Sequence, residues 1–207
     1  DTRARFTSLQ DMMANASDVA SSYSLLKEEE PDQPCLRLGL LTDHIAFAED
    51  IDEVSKHARI AFEKWSASLL VENLCDLNDL VKLAHHHEVG GMPVTVISEL
   101  EELDAAAVAT WADRIDAEPI RKYLKTENIS SELNKLMDRL FLVQSLSLSE
   151  DDLEGLPSGL IVFTTQGLSF TGRDDFNIGL TGEASGVLSR KAELETLAGE
   201  LKAVEGE

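Results

Sequence analysis

The chain has 207 residues, 43% of them hydrophobic, and its 39 acidic and 18 basic side chains give a formal net charge of -21. This length and apolar content suffice for a buried core in one or two domains, whereas the charge excludes a broad nucleic-acid footprint, which needs clustered Lys and Arg. Two cysteines are too few for a disulfide framework, and the sequence has neither a signal pattern nor an apolar run near the roughly 20 residues of a membrane span, so we expect a cytoplasmic protein.

The first segment predicts a helix. Apolar or small side chains recur at alternating spacings of three and four, which places them along one face: Phe6, Leu9, Met13, Ala16, Ala20 and Tyr23. Because the sequence starts at Asp1 and not at a methionine, we expect a piece of a longer protein, although a processed end would look the same.

The middle of the chain predicts an α/β body with two loosely related halves, residues 36–103 and 104–186. The first half contains the short apolar runs of "LGLLTDHIAF", "SASLLVENL" and "MPVTVIS", and the second half those of "RLFLVQSLSL" and "GLIVFTTQG". Amphipathic helices separate these runs, as expected for strands that alternate with helices. Trp65 and Trp111 lie in the helical part of each half and are predicted core residues.

Three consecutive histidines, His85 to His87, precede a glycine pair in "LAHHHEVGGMPVTVI". On a helix from about Asp76 to Glu88 the buried stripe would be Leu77, Leu80, Val81 and Ala84. Since successive helical residues are rotated by about 100°, adjacent histidines cannot share one metal ion. We interpret them as the last turn of a helix, with Gly90 as the left-handed residue that ends it.

Residues 187–207 predict a second amphipathic helix. Val187, Leu194 and Leu201 repeat at every seventh position, and Leu197 and Val204 occupy the alternate seam position. Two surface helices would explain the patterns at both ends; if the ends lie together, segments 1–35 and 187–207 form an antiparallel coiled coil.

No motif predicts catalysis or a cofactor. The sequence contains neither G-x-x-x-x-G-K-[ST] nor G-x-S-x-G. Acidic runs such as "SELEELD" are typical of solvated faces and helix starts. We therefore predict no catalytic residue, no metal and no cofactor.

In its order of parts the sequence resembles the hinge domain of structural maintenance of chromosomes (SMC) proteins, as a divergent and prokaryotic member. The most specific segments are "LGLLTDHIAF", "SASLLVENLCDLNDLVKLAHHHEVGGMPVTVI", "GLIVFTTQGLSFTG" and "SGVLSRKAELETL". Two departures stand beside these matches: Gln166 replaces the acidic residue usual before the turn glycine, and "RDDFN" has the character of an insertion.

This resemblance implies a fold of two pseudo-related subdomains with mixed sheets, and a homodimer in which half one of each subunit meets half two of its partner. By position, it implies an interface at glycines and strand residues that let two edges approach: Gly90, Gly91, Val94, Val96, Gly172, Gly179 and Gly182. The parent would be an ATPase of chromosome condensation and segregation through heads absent here, associated with the nucleoid.

The family resemblance also implies a local DNA contact where hinge and arms meet, at Arg3, Arg5, Arg173, Arg190 and Lys191. Against the net charge such a patch would be small and sensitive to salt. Two other classes stay open at this point: an acidic adaptor with a helical-hairpin arm, and a small hydrolase or transferase that uses its carboxylates. Neither a membrane nor a small-molecule substrate is expected.

Overall fold

The computed structural model describes residues 18–90, 92–126, 129–144, 150–173, 175–178 and 187–205. The chain forms two compact units. Unit 1 comprises the described parts of Asp1–Phe47, Ser66–Ser98 and Ser185–Glu207, and unit 2 those of Ala48–Trp65 and Glu99–Ala184. Residues 48–65 thus lie in unit 2 although unit 1 flanks them on both sides. The boundaries that the sequence suggests at 35, 103 and 186 stay a prediction.

Unit 1 contains helices α1 (Asp18–Glu29), α3 (Leu74–His86) and α7 (Val187–Glu205), and strands β1 (Ile45–Phe47), β2 (Leu69–Val71) and β3 (Val94–Val96). Strands β2 and β3 are parallel, with Leu69 opposite Val94, and α3 forms the crossover between them. The core packs α1 and α3 against β2 through buried residues that include Leu26, Leu36, Leu80 and Leu83.

Helix α3 begins at Asn73, whose side-chain oxygen accepts a hydrogen bond from the Asp76 amide at 3.0 Å. Its buried stripe is formed by Leu80 and Leu83, and the predicted burial of Val81 is wrong because that side chain is 57% exposed. The prediction for Gly90 is also wrong. The left-handed residue after the helix is Glu88, with φ 54°, two residues earlier.

Unit 2 contains α2 (Lys56–Ser66, its last residue in unit 1), α4 (Ala105–Ile115), α5 (Ser131–Met137) and α6 (Glu150–Leu153). Its strands are β4 (Ala117–Pro119), β5 (Leu124–Thr126), β6 (Leu140–Val143), β7 (Ile161–Thr164), β8 (Leu168–Thr171) and β9 (Asp175–Ile178). Five of them form a sheet in the order β4-β6-β7-β8-β9. Only β6 and β7 are parallel, so the sheet is mixed.

The core of unit 2 lies between α4 and this sheet. Trp111 is 2% exposed and packs against Phe141, which confirms its predicted core position. Trp65 is half-buried, with ring contacts at 5.8 Å to both Phe62 and Phe163. Glycines with positive φ, Gly167 and Gly172, form the turns on either side of β8, where a side chain would be strained.

The structure confirms the predicted mixed α/β fold and shows a helix near each end, α1 and α7. Helix α7 packs on unit 1: Leu188 is fully buried, and the Lys191 ammonium donates a hydrogen bond to the Ile45 carbonyl at 3.4 Å. Pairing of the two arms as a coiled coil stays a prediction. Across the described ranges, every helix is too short or too polar to span a bilayer.

Candidate functional site

Strand β9 is an exposed, partly apolar edge of the unit 2 sheet. All four of its residues are exposed, and Phe176 and Ile178 show 42% and 67% of their surfaces. The two side chains lie on one face of the strand because they are two residues apart, and the Phe176 ring packs on Phe170 at 5.6 Å. Within the described residues β9 pairs only with β8, so one side of its backbone is open to another strand.

The opposite edge of the same sheet, β4, is less suited to pairing. It ends at Pro119, opposite Phe141 of β6. Proline has no amide hydrogen and cannot donate to an added strand. Of the two edges, β9 is therefore the better template for another chain.

Strand β3 forms a second open edge, in unit 1. Strand β2 forms backbone hydrogen bonds on both of its sides. It pairs with β3 on one side, and on the other the Leu70 amide donates a hydrogen bond to the Gly39 carbonyl at 2.9 Å. Val94, Thr95 and Val96 are half-buried, and in the described part of the chain they pair only with β2. Unit 1 thus offers the edge of β3, and unit 2 that of β9.

The glycines predicted at the interface have different surroundings. A Cβ on Gly90 would meet nothing within 4 Å, so no neighbour inside the chain explains a glycine there. Gly172 has φ 71° and serves the turn between β8 and β9. Gly91, Gly179 and Gly182 lie outside the described residues.

The described residues predicted to contact DNA belong to both units. Arg173 is exposed beside the β8–β9 turn in unit 2, whereas Lys191 lies on α7 of unit 1 with its ammonium on the Ile45 carbonyl. Arg190 belongs to α7 as well, and Arg3 and Arg5 lie outside the described residues.

A polar cluster surrounds Glu118 on β4. Its carboxylate accepts hydrogen bonds from the Tyr123 hydroxyl at 3.0 Å, from the Gln144 amide at 3.0 Å and from the Lys122 ammonium at 3.3 Å. Burial acts to raise the pKa of Glu118, but these hydrogen bonds and the charge of Lys122 outweigh it, so the pKa lies below its usual value. Burial, then the bond to Glu118, raises the pKa of Tyr123. We interpret this cluster as structural.

The three histidines do not all lie on the helix as the angular argument assumes, and the rings of His86 and His87 contact each other with their centroids 4.9 Å apart. His85 and His86 end α3, His87 follows the helix, and the His87 Nε2 atom lies 3.9 Å from the Glu30 carboxylate. In the ranges that the structure describes, no three His, Cys, Asp or Glu side chains are grouped so as to hold a metal ion.

Sequence reasoning missed the strand character of β9, because "RDDFN" was interpreted as an insertion. Its last letters begin the strand: Phe176 pairs with Phe170, and Asp175 with Thr171. The alternation of polar and apolar residues in Asp-Phe-Asn-Ile after a turn glycine was a signal for a hairpin.

Comparison with known proteins identifies the fold. No family model and no curated protein sequence matches the chain. Among solved structures, the hinge domain of Geobacillus stearothermophilus SMC, crystallised as an asymmetric dimer, is similar with a TM-score of 0.66 at 14% identity, over 99% of this chain and 82% of that one. The folded elbow of cohesin is similar with a TM-score of 0.57 at 12% identity, over 99% of this chain and 30% of that one.

The hinge domain of Pyrococcus furiosus Smc with an extended coiled coil also overlaps 99% of this chain and 74% of its own, at 11% identity, but its TM-score of 0.44 carries no argument. The similarity to the Geobacillus stearothermophilus hinge shows that the chain has the fold of an SMC hinge domain, as the sequence resemblance predicts.

Proposed function

We propose that this chain is the dimerisation hinge of an SMC-type protein and joins two identical subunits. The observation that carries the proposal is the presence of one open strand edge in each unit, β3 and β9, in a chain with the hinge fold. The similar hinge from Geobacillus stearothermophilus crystallised as an asymmetric dimer, which supports dimerisation here but not its symmetry.

In the proposed dimer, β3 of one copy pairs with β9 of the other, and the symmetric contact repeats this pairing. Backbone amides and carbonyls supply the hydrogen bonds, and Phe176 and Ile178 supply apolar area. The residues that we assign to this interface are Val94, Val96, Phe176, Ile178 and the glycines Gly90, Gly91, Gly172, Gly179 and Gly182. Two equivalent contacts follow from two-fold symmetry, which is the usual symmetry of soluble homo-oligomers.

The wider role follows from this assignment. The hinge itself would catalyse nothing, and the ATPase activity would belong to head domains of the parent protein. That protein would act in chromosome condensation and segregation in the cytoplasm, at the nucleoid. A weak DNA contact through Arg3, Arg5, Arg173, Arg190 and Lys191 forms part of the proposal.

The deciding experiment is the mass of the chain in solution, measured by light scattering during size-exclusion chromatography. We expect twice the chain mass of 22.7 kDa at micromolar concentration. A species of single-chain mass throughout the micromolar range would contradict the proposal, even though the chain has the fold of an SMC hinge domain.

A further inference from the structure

Unit 2 contains an open groove of about 650 Å³ beside α4. Its floor is apolar, formed by Leu103, Val108, Ala109, Ala112, Pro119 and Phe141. On α4, Ala105, Ala109 and Ala112 also line the groove, and spacings of four and three place them on one helical face. Small side chains on that face let a second helix approach closely, because the interaxial distance depends on the side chains at the contact.

The rim of the groove is acidic. Four exposed carboxylates lie on it, those of Glu101, Glu102, Asp113 and Asp138. Three of them have cationic neighbours: the Glu102 carboxylate is 3.9 Å from the ammonium of Lys135, itself an exposed lining residue, the Asp138 carboxylate is 2.9 Å from the Arg121 guanidinium, and the Glu101 carboxylate interacts electrostatically with Arg139. Asp113 has no ion-pair partner among the described residues, so its charge is open to a ligand.

The one buried cation of the lining, Arg139, is directed at the protein and not at the rim. It is 5% exposed and donates hydrogen bonds to the Gly159 carbonyl, at 3.3 Å, and to the Glu101 carbonyl. Gly159 has φ 80°, a backbone conformation that favours glycine, and a Cβ there would also crowd the Arg139 guanidinium. Arg139 thus fixes the segment that carries Glu101 and Glu102, and burial lowers the pKa of Arg139.

We propose that this groove binds a basic amphipathic helix of a partner protein, with the apolar face of the helix on the floor and its Lys and Arg side chains at the acidic rim. An apolar groove of this kind is a known way to bind a helix, and the net charge of -21 attracts a cationic segment over a long range. The acidic rim also disfavours nucleic acid at this groove. Pro119 at β4 disfavours an added strand.

The test uses the full chain and a fluorescent synthetic peptide of leucine and lysine in helical amphipathic order, with anisotropy as the readout at low and moderate salt. We expect saturable binding that weakens as salt rises. Ala109→Trp, which fills the groove from an exposed position, should weaken binding by at least about tenfold, as expected for a central contact of an interface. Asp113→Lys, which reverses a rim charge, should weaken binding and reduce its dependence on salt.

Matched controls separate the groove from general attraction between opposite charges. Thr110→Trp places the same ring on α4 but outside the groove lining. Glu28→Lys makes the same charge change at an exposed position of α1 in unit 1. Both variants should bind the peptide within about twofold of wild type. Equal binding of a scrambled peptide or of a leucine-glutamate peptide would overturn the proposal, as would binding that survives Ala109→Trp. The groove lining contains no residue of β3 or β9. If the peptide does not bind, the solution mass that tests the proposed dimer is therefore unaffected.

Discussion

Gly90 has open space at the position where a side chain would lie. Neither strain nor crowding requires a glycine there, since its φ is not positive and a Cβ would meet nothing within 4 Å. It lies four residues before the open strand β3. A close partner chain would explain the absence of a side chain, in agreement with the proposed interface.

Gly90→Trp should therefore weaken dimerisation by at least about tenfold, or 1.4 kcal/mol, while the melting temperature of the chain changes little. Sedimentation velocity over a concentration series measures the effect. Gly199→Trp is the matched control, because Gly199 on α7 also has open space around its Cβ. Replacing His85, His86 and His87 by Gln should leave the mass unchanged; a loss of dimer in either control would argue against a specific role for Gly90.

Glu118 gives a prediction for acid stability. Its folded pKa is lowered, so its contribution is present above the unfolded value of about 4.3 and is lost as pH falls through the folded value. Glu118→Gln should cost about 1 kcal/mol at neutral pH and nearly nothing at the acid limit. Thermal unfolding of both proteins as a function of pH measures this convergence. Glu28→Gln, on exposed α1, should show no such convergence, and a constant gap for Glu118→Gln would contradict the explanation.

At the scale of elements, the two edges of the five-stranded sheet differ in chemistry. Pro119 blocks pairing at β4, whereas β9 exposes Phe176 and Ile178 without a proline. An open edge with exposed apolar side chains is suited to covering by a partner, in agreement with the proposed interface at β9.

Ile178→Lys should shift the chain from dimer to monomer, because a charge would be buried on pairing. Light scattering at fixed concentration measures the change. Val81→Lys is the control: Val81 is 57% exposed against 67% for Ile178, but lies on α3, away from the strand edges. If both lysine variants remain dimeric, β9 is not the contact.

Prediction from sequence succeeded where burial makes the local signal strong. Strands β2 and β6 are buried at every position, so they appear as continuous apolar runs. It failed for β9, whose four exposed residues do not form the apolar run that marks a buried strand, although β9 forms a local hairpin with β8. The placement of Val81 and Glu88 depends on the direction from which the core covers α3, which helical periodicity alone does not give. The groove beside α4 combines segments from Glu101 to Phe141, and no single pattern in the sequence marks it.

At the scale of the whole molecule, the negative net charge weakens the proposed DNA contact. With a net charge of -21, any binding through Arg173, Arg190 and Lys191 is expected only at low salt and should vanish near physiological ionic strength. A gel-shift series with single- and double-stranded DNA checks this. Arg173→Glu should abolish the retardation of DNA. Lys82→Glu, at an exposed position on α3 of unit 1, should reduce this retardation only slightly. The absence of any retardation at low salt would remove DNA from the proposed function.

The division of the chain between its units has a mechanical consequence. Both arm helices are anchored in unit 1, α1 through buried Leu26 and α7 through buried Leu188, while residues 48–65 and 99–184 of unit 2 are inserted between segments of unit 1. Tension applied to the two terminal helices would therefore load the packing of unit 1 before the covalent path through unit 2.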